Sequence, residues 1–282
     1  MPQARPATTI LLLRDADAGP EVFMVQRHRK SGFLPNAWVF PGGRVDAGDA
    51  LDGHPRVSGG TEVLQQMGIE SRSEAIAFLV AGIRETFEES GIWLGSGQLP
   101  DSLRDPMNRG EVRLETALET HDVHLDLDRV RAWSYWVTPK AEPRRYDTHF
   151  LVALVQDAVG RHDERETVDS RWVSPSEVMQ ANYSVADFPM APPTWWTLRE
   201  LAAFDSAQQA WDAAQARPHR PIQPIMEFTE SGLNLILPGH PSHDQPRFED
   251  LPTHVAFCDG QWVAFDGEVE MAVFPHTQVL NT

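Results

Sequence analysis

Three carboxylates and a glycine crowd together in Arg84-Glu85-Thr86-Phe87-Glu88-Glu89-Ser90-Gly91-Ile92. Glu85, Glu88 and Glu89 stand at i, i+3 and i+4, so a helix turning about 100° per residue gathers them within an arc of roughly 100°. Gly91 suits the left-handed position that ends a helix, which puts the three acids in its last turns. The helix dipole already carries partial negative charge at that end, and the three like charges also repel one another. A bound hard cation with oxygen ligands would offset both effects. The competing reading of a lone Glu-x-x-Glu-Glu is a solvated acidic face.

The helix that must carry these residues is marked upstream. Ser71 and Glu74 have capping-box spacing, and Ile76, Leu79, Val80, Ile83 and Phe87 follow the 3-and-4 rhythm of a buried stripe. On that helix the glutamates fall roughly opposite the stripe, which predicts that they point away from the core. Further upstream, Phe40-Pro41-Gly42-Gly43-Arg44-Val45-Asp46-Ala47-Gly48-Asp49 places two glycines after an apolar run. Such a turn lets backbone come close to a ligand.

Together the two segments resemble the Nudix box, G-x5-E-x7-R-E-U-x-E-E-x-G-U with U a bulky aliphatic, the signature of the Nudix hydrolase superfamily. Gly43 takes the first glycine and Asp49 stands where the pattern has its first glutamate. Arg84, Glu85, Glu88, Glu89, Gly91 and Ile92 match the remainder, and Thr86 replaces the first aliphatic. Between Asp49 and Arg84 the pattern has seven residues, whereas Ala50 to Ile83 makes thirty-four, an insertion of twenty-seven. The insertion begins polar and turn-rich, then offers a short helix over Thr61 to Met67. Loop-closure entropy grows slowly with length, so the halves of the box can still meet. An interrupted box of this kind is similar to that of the peroxisomal coenzyme A diphosphatase branch, as are Phe33-Leu34-Pro35 before Trp38-Val39-Phe40-Pro41 and Glu142-Pro143-Arg144-Arg145-Tyr146-Asp147-Thr148. A second coenzyme A pattern, L-L-T-x-R-[SA]-x3-R-x3-G-x3-F-P-G-G, fits at Arg27. It departs at His28, Gly32 and Asn36, which occupy its small, arginine and glycine positions.

The resemblance implies an α/β/α sandwich with a mixed sheet and a metal-dependent diphosphatase. Mg²⁺ or Mn²⁺ neutralises phosphoryl oxygens and makes water nucleophilic. Glu85, Glu88 and Glu89 are the expected ligands, with Asp49 as a further one, and Arg84 is expected to orient Glu85 through a planar fork. Gly42 and Gly43 would leave backbone free beside the substrate. The base that takes a proton from water is sought among Asp163, Glu164 and Glu166, with Glu166 preferred. A solvated charged turn is the alternative for each. Arg144 and Arg145, with Arg27, are candidate phosphate anchors, while Arg29 and Lys30 read as surface charge.

A formal charge of −17 argues against a broad nucleic-acid surface and leaves a small-molecule diphosphate as the expected partner. Ala7 to Leu13 is too short to span a membrane. One cysteine, Cys258, fits a reducing compartment, and the final Leu280-Asn281-Thr282 is not a Ser-Lys-Leu address, so the expected location is cytoplasmic.

Strands are expected at Thr8–Leu13, Val22–Gln26, Trp38–Phe40, Val130–Val137, Thr148–Gln156 and Thr167–Val173. Helices are expected near Asn108–Glu119, at Pro175–Ala181 after a Ser174 cap, and from about Pro193 to Ala216. These place a hydrolase domain in residues 1–217, with the insertion at about 50–83. Residues 218–282 form a β-rich extension behind a proline-stiffened connector, with strands at Leu233–Leu237, His254–Cys258 and Gln261–Phe265; a homodimer is one arrangement that would use it. His240-Pro241-Ser242-His243-Asp244 reads as a polar loop, and Trp195, Trp196 and Trp211 as packing. Two other functions stay open: hydrolysis of ADP-ribose, NADH or another nucleoside diphosphate derivative, and a non-catalytic ligand sensor, which would not require every box carboxylate.

Overall fold

Ile10 and Leu12 face one way from the first strand and Leu11 and Leu13 the other, yet all four are fully buried. A strand buried on both faces must lie inside a layered structure, with helices above and below its sheet. The computed structural model describes residues 2–17, 19–32, 34–156, 158–181, 187–229 and 232–271. Phe33 and the final Leu280-Asn281-Thr282 fall outside that set.

Strand β1 (Arg5–Ala16) pairs antiparallel with β2 (Gly19–Arg27). Short strands β3 (Trp38–Val39) and β4 (Gly42–Arg44) add to β2 and β1. Next come β5 (Val57–Ser58), α1 (Thr61–Met67) and α2 (Arg72–Ser90). After them follow β6 (Gly95–Ser96), α3 (Arg104–Asn108), α4 (Leu114–Thr120) and β7 (His124–Asp126). The sheet resumes with β8 (Arg131–Val137), β9 (Tyr146–Leu154) and β10 (Thr167–Val173). Helices α5 (Pro175–Ala181), α6 (Pro192–Leu201) and α7 (Ala207–Ala214) lead to β11 (Pro221–Ile222). A second, antiparallel sheet contains β12 (Ile225–Thr229), β13 (Gly232–Ile236), β14 (His254–Cys258), β15 (Gln261–Asp266) and β16 (Val269–Glu270).

The main sheet runs β10-β2-β1-β9-β8-β11 and is mixed, since β1 pairs parallel with β9 and β8 with β11. One face packs Ile10, Leu12, Phe23, Val25, Leu151 and Ala153 under α1, α2 and α4. The other packs Leu11, Leu13, Val22, Met24, Phe150 and Val152 under α5, α6 and α7. This is the expected α/β/α sandwich. Trp196 lies in the second layer and the Trp211 ring carries the Arg131 guanidinium, so both tryptophans pack as read from the sequence.

Helix α2 begins and ends where its signals put it. The Ser71 hydroxyl accepts the Glu74 N–H, and Gly91 closes the helix at φ +74°. Its acidic face does not point to solvent, however. Glu88 and Glu89 are only 4% and 2% exposed, and nearly every residue from Ala75 to Ser90 is buried. Strand β4 and helix α3 pack against the carboxyl end of α2, with the Gly42 N–H on Glu89 and Arg104 on the Glu88 carbonyl. Leu51, Val57, Val63 and Met67 of the insertion share an apolar cluster with Phe78, Leu79 and Val80 of the same helix. Strand β5 of the insertion also pairs with β7, which pairs with β6, tying the insertion to chain beyond the box.

Two expected helices are broken. Asn108–Glu119 is α3 and α4, separated by a turn in which Gly110 sits at φ +69°. The long helix from Pro193 is α6 and α7, interrupted before the Ser206 cap, whose hydroxyl accepts the Gln209 N–H. The connector holds β11, an extra edge strand on β8. Behind it, Leu237, Phe248, Leu251, Val255 and Ala264 share one apolar cluster with Trp196 and Leu198, and the Trp262 indole donates to the Met190 carbonyl at 3.1 Å. His243, in the expected polar loop, contacts the Gln223 carbonyl at 3.0 Å.

The connector is also held by a histidine pair. His149 on β9 and His219 meet Nδ1 to Nε2 at 2.7 Å, and both rings stack with Tyr135, with centroids 4.2 and 5.6 Å away. Burial, then the neighbouring ring, pushes His149 down to about 3; burial, then Arg217, pushes His219 down to about 4. An unfolded histidine takes a proton near pH 6.5, whereas these rings in the folded chain do not. Their contribution is therefore complete above about pH 6.5 and is lost as pH falls toward 4, at up to about 1.4 kcal/mol per pH unit for each ring. Between pH 7.5 and 5 the native chain should lose urea stability relative to His219→Gln, seen as a narrowing gap between their midpoints.

Candidate active site

The carboxylates are organised by one arginine. Arg84, first residue after the insertion, aims its Nε and Nη2 at the two oxygens of Asp49, last residue before it, at 2.8 and 3.0 Å. Its Nη1 donates to Glu85 at 3.0 Å and to both oxygens of Glu88 at 3.2 and 3.3 Å, and Nη2 also reaches the Arg44 carbonyl at 3.1 Å. Burial opposes the charge on Arg84. Its hydrogen bond to Asp49 and the pull of Glu85, Asp49 and Glu88 outweigh that and raise its pKa. The guanidinium thus orients Glu85 and at the same time closes the neck of the insertion. The carboxylate of Asp49 is turned to Arg84 and to the Asp46 N–H at 2.8 Å.

The Gly42-Gly43 turn, on β4, lies against the carboxyl end of α2. Glu89 accepts the Gly42 N–H at 3.0 Å, and a Cβ on Gly43 would lie 2.4 Å from the Glu85 carboxyl. Only glycine leaves room there for both the strand and the carboxylate. A Cβ on Gly42 would sit 2.3 Å from the Thr8 carbonyl oxygen, so that glycine serves the strand pairing.

Charge is poorly balanced in this space. Once Asp49 is matched with Arg84, the three glutamates have a share of that arginine and the influence of Arg27. Burial, against the pull of Arg84, pushes Glu88 up to about 7, and burial raises Glu85 as well. Glu89 is raised well above the ordinary carboxylate range, chiefly by burial and then by Glu85, with the Gly42 N–H and Arg27 pulling the other way. Such a set of hard oxygen donors with surplus negative charge fits a divalent Mg²⁺ or Mn²⁺. As the side chains stand, no three His, Cys, Asp or Glu among the described residues converge closely enough to hold a metal. Arg84 draws Glu85 and Glu88 to itself while Glu89 turns to Gly42, so a cation would compete with the guanidinium.

Other predicted residues divide into two groups. Arg27 is near enough for its charge to act on Glu89, and its guanidinium contacts the Ser31 hydroxyl at 2.7 and 3.1 Å. Arg144 donates to the Gly32 carbonyl, on the loop after Arg27. Arg145 instead ties strand ends together, donating to Thr138 and Pro2 carbonyls at 3.1 and 3.0 Å. Glu166 is exposed, and its charge acts on both Glu85 and Glu89. Asp163 is committed to its own turn, accepting from the Thr167 hydroxyl at 2.6 Å and the Thr167 N–H at 2.9 Å. Glu164 adopts φ +63° in that turn. Sequence reasoning passed over Arg104, which contacts the Glu88 carbonyl at 3.3 Å; a lone arginine outside the motif gives no periodic or spacing signal.

Two substitutions separate the roles of this geometry. Asp49→Ala leaves Arg84 without its main partner at the neck and should cost about 3 kcal/mol in urea unfolding. Gly43→Ala should leave the unfolding free energy in urea within about 0.5 kcal/mol of native while lowering turnover at least about tenfold, because the added methyl displaces the Glu85 carboxyl. Native-like turnover in Gly43→Ala would show that Glu85 can move without consequence.

Comparison with known proteins follows the same lines. A family model described as the NUDT19 Nudix domain matches residues 62–201. Human acyl-coenzyme A diphosphatase NUDT19 is 27% identical, over 84% of this chain and 76% of its own length. The chicken (Gallus gallus) protein of the same name is 28% identical, over 78% of this chain and 71% of its own. A putative nudix hydrolase 7 of Caenorhabditis elegans is 29% identical, over 77% and 68%. Among solved structures, a Nudix hydrolase from Alicyclobacillus acidocaldarius superposes with a TM-score of 0.63 at 26% identity, covering 75% of this chain and 97% of that one. With its split signature, its sandwich fold and its arginine-bound carboxylates, the chain belongs to the Nudix hydrolase superfamily, and its interrupted box is of the coenzyme A diphosphatase type.

Proposed function

We propose that the chain is a metal-dependent diphosphohydrolase that cleaves the diphosphate linkage of a nucleoside diphosphate derivative, with coenzyme A or an acyl-coenzyme A as its substrate. The observation that carries this reading is the buried surplus of carboxylate at Glu85, Glu88 and Glu89 beside the Gly42-Gly43 turn. A catalytically idle fold would have little reason to keep that surplus out of water. The names of the vertebrate relatives supply the substrate class.

Glu85, Glu88 and Glu89 would hold Mg²⁺ or Mn²⁺, which when bound neutralises the diphosphate and lowers the pKa of water. Arg84 keeps Glu85 and Glu88 oriented through its Nη1 contacts. Glu166, at the edge of the cluster, would accept the proton of the attacking water. Arg27 would bind a phosphoryl oxygen, with Arg144 holding the loop after it. Arg145 is assigned a supporting role at the strand ends instead of a direct phosphate contact. We assign residues 1–217 to the hydrolase unit and 218–282 to an extension, which contributes β11 to the main sheet. The single cysteine supports a cytoplasmic setting. No described helix is long and apolar enough to cross a membrane.

His28, Gly32 and Asn36, which depart from the second coenzyme A pattern, favour a second reading in which ADP-ribose, NADH or a related diphosphate is the substrate. A phosphate-release screen with Mg²⁺ or Mn²⁺ across coenzyme A, an acyl-coenzyme A, ADP-ribose, NADH and sugar nucleotides decides between them. Coenzyme A or its acyl derivative should give the highest kcat/KM. No turnover of any diphosphate with either metal would refute the enzyme reading and leave a ligand sensor. Glu88→Gln and Glu89→Gln should each lower kcat by about 100-fold or more, and each should weaken the rise in Tm that Mn²⁺ gives the native protein.

A further inference from the structure

Helix α3 stands between the carboxyl end of α2 and the loop that carries Glu166. Arg104, only 7% exposed, donates its Nε–H to the Glu88 carbonyl at 3.3 Å and its Nη2–H to the Arg161 carbonyl at 2.6 Å. One turn later, on the same side of the helix, Asn108 donates Nδ2–H to the Asp163 carboxylate at 3.1 Å. The Arg161 N–H in turn donates to the Ser90 carbonyl at 2.9 Å. Residues 161 and 163 are therefore gripped from α3 while residue 161 is also bonded to the last residue of α2.

The grip continues to Glu166. The Asp163 carboxylate accepts the N–H groups of Glu166 at 3.1 Å and Thr167 at 2.9 Å, and the Glu166 carbonyl accepts the His28 N–H at 2.9 Å. The guanidinium of Arg104 also meets a need at the carboxyl end of α2. Last-turn carbonyls have no partner within a helix, and a cation there opposes both the dipole and the acidic cluster.

We propose that Arg104 and Asn108 are positioning residues for hydrolysis: through Arg161 and Asp163 they fix the loop before β10 to the end of α2, and so set Glu166 against the Glu85–Glu89 cluster. This rests on the reading of Glu166 as the proton acceptor. Neither side chain touches the reacting atoms; Asn108 acts through Asp163 and the Glu166 loop, while Arg104 also holds the Glu88 carbonyl. That makes a specific prediction, because a purely structural strut would damage catalysis whether or not Glu166 were present.

The test is a double-mutant cycle on the full-length chain with Mg²⁺, using the diphosphate that the native enzyme turns over best. Arg104→Gln and Asn108→Ala should each lower kcat by about 10- to 100-fold with KM within about threefold, and Arg104→Lys should recover part of the loss. In a Glu166→Gln background Asn108→Ala should cost less than about twofold more, and Arg104→Gln should cost at least about threefold less than it does alone. Asn108 is half-buried, so Asn108→Ala maintains the test if Arg104→Gln does not fold. Equal losses in both backgrounds, or single variants within about twofold of native, would overturn the proposal. Glu166→Gln with native kcat would overturn it too. Inactivity of the native chain on every diphosphate would instead bring down the functional reading beneath it.

Discussion

Everything in the site hangs on the pairing of Arg84 with Asp49. These residues are consecutive positions of one motif separated by thirty-four residues of chain, and their two parallel contacts at 2.8 and 3.0 Å bring the motif back together. The entropy of closing so long a loop rises only with the logarithm of its length, so one good contact supported by packing is enough to hold the neck. A planar guanidinium fixes direction as well as distance, which a lysine ammonium would not. Because the same side chain also reaches Glu85, Glu88 and the Arg44 carbonyl, closing the insertion and arranging the carboxylates are one event.

That economy has an electrostatic consequence. An arginine that serves several carboxylates cannot neutralise them all, and burial raises Glu85, Glu88 and Glu89 together. Between roughly pH 4.5 and 7 the folded chain keeps a proton on Glu88 that the unfolded chain has released, so the metal-free fold gains stability as pH falls through that window. A cation reverses the sign of this dependence, since it needs the ionised carboxylate. The histidine pair at His149 and His219 works in the opposite direction over an overlapping range, being stable when neutral. The acid response of the protein is therefore a contest between two buried groups on opposite sides of the titration.

Much of this was legible in the chain. Ser71, Glu74 and Gly91 mark α2 because caps are local chemistry, decided by a few neighbouring residues. Thr61–Met67 and Pro175–Ala181 were legible for the same reason. The central strands were legible because both faces are apolar. What was not legible depended on distant chain. Nothing near Glu88 says that β4 and α3 will pack over its end of the helix, so the glutamates read as solvent-facing. Arg144 and Arg145 are adjacent and chemically alike, yet one reaches the loop after Arg27 while the other ties down strand ends. The breaks at Gly110 and before Ser206 were within reach of local signals; apolar spacing running across them hid the breaks.

Burial sets what the acidic cluster demands. A surface helix with three glutamates needs no cation, because water screens the charges and the dipole penalty is a fraction of a kcal/mol. Packing the Gly42-Gly43 strand and α3 over that end of α2 removes the screening, and the cost of the like charges rises with it. The inserted chain packs elsewhere, on Phe78, Leu79 and Val80 of the same helix. It meets the carboxylates at the residues that flank it, Asp49 and Arg84, so its contribution to the site passes through the closure of that neck.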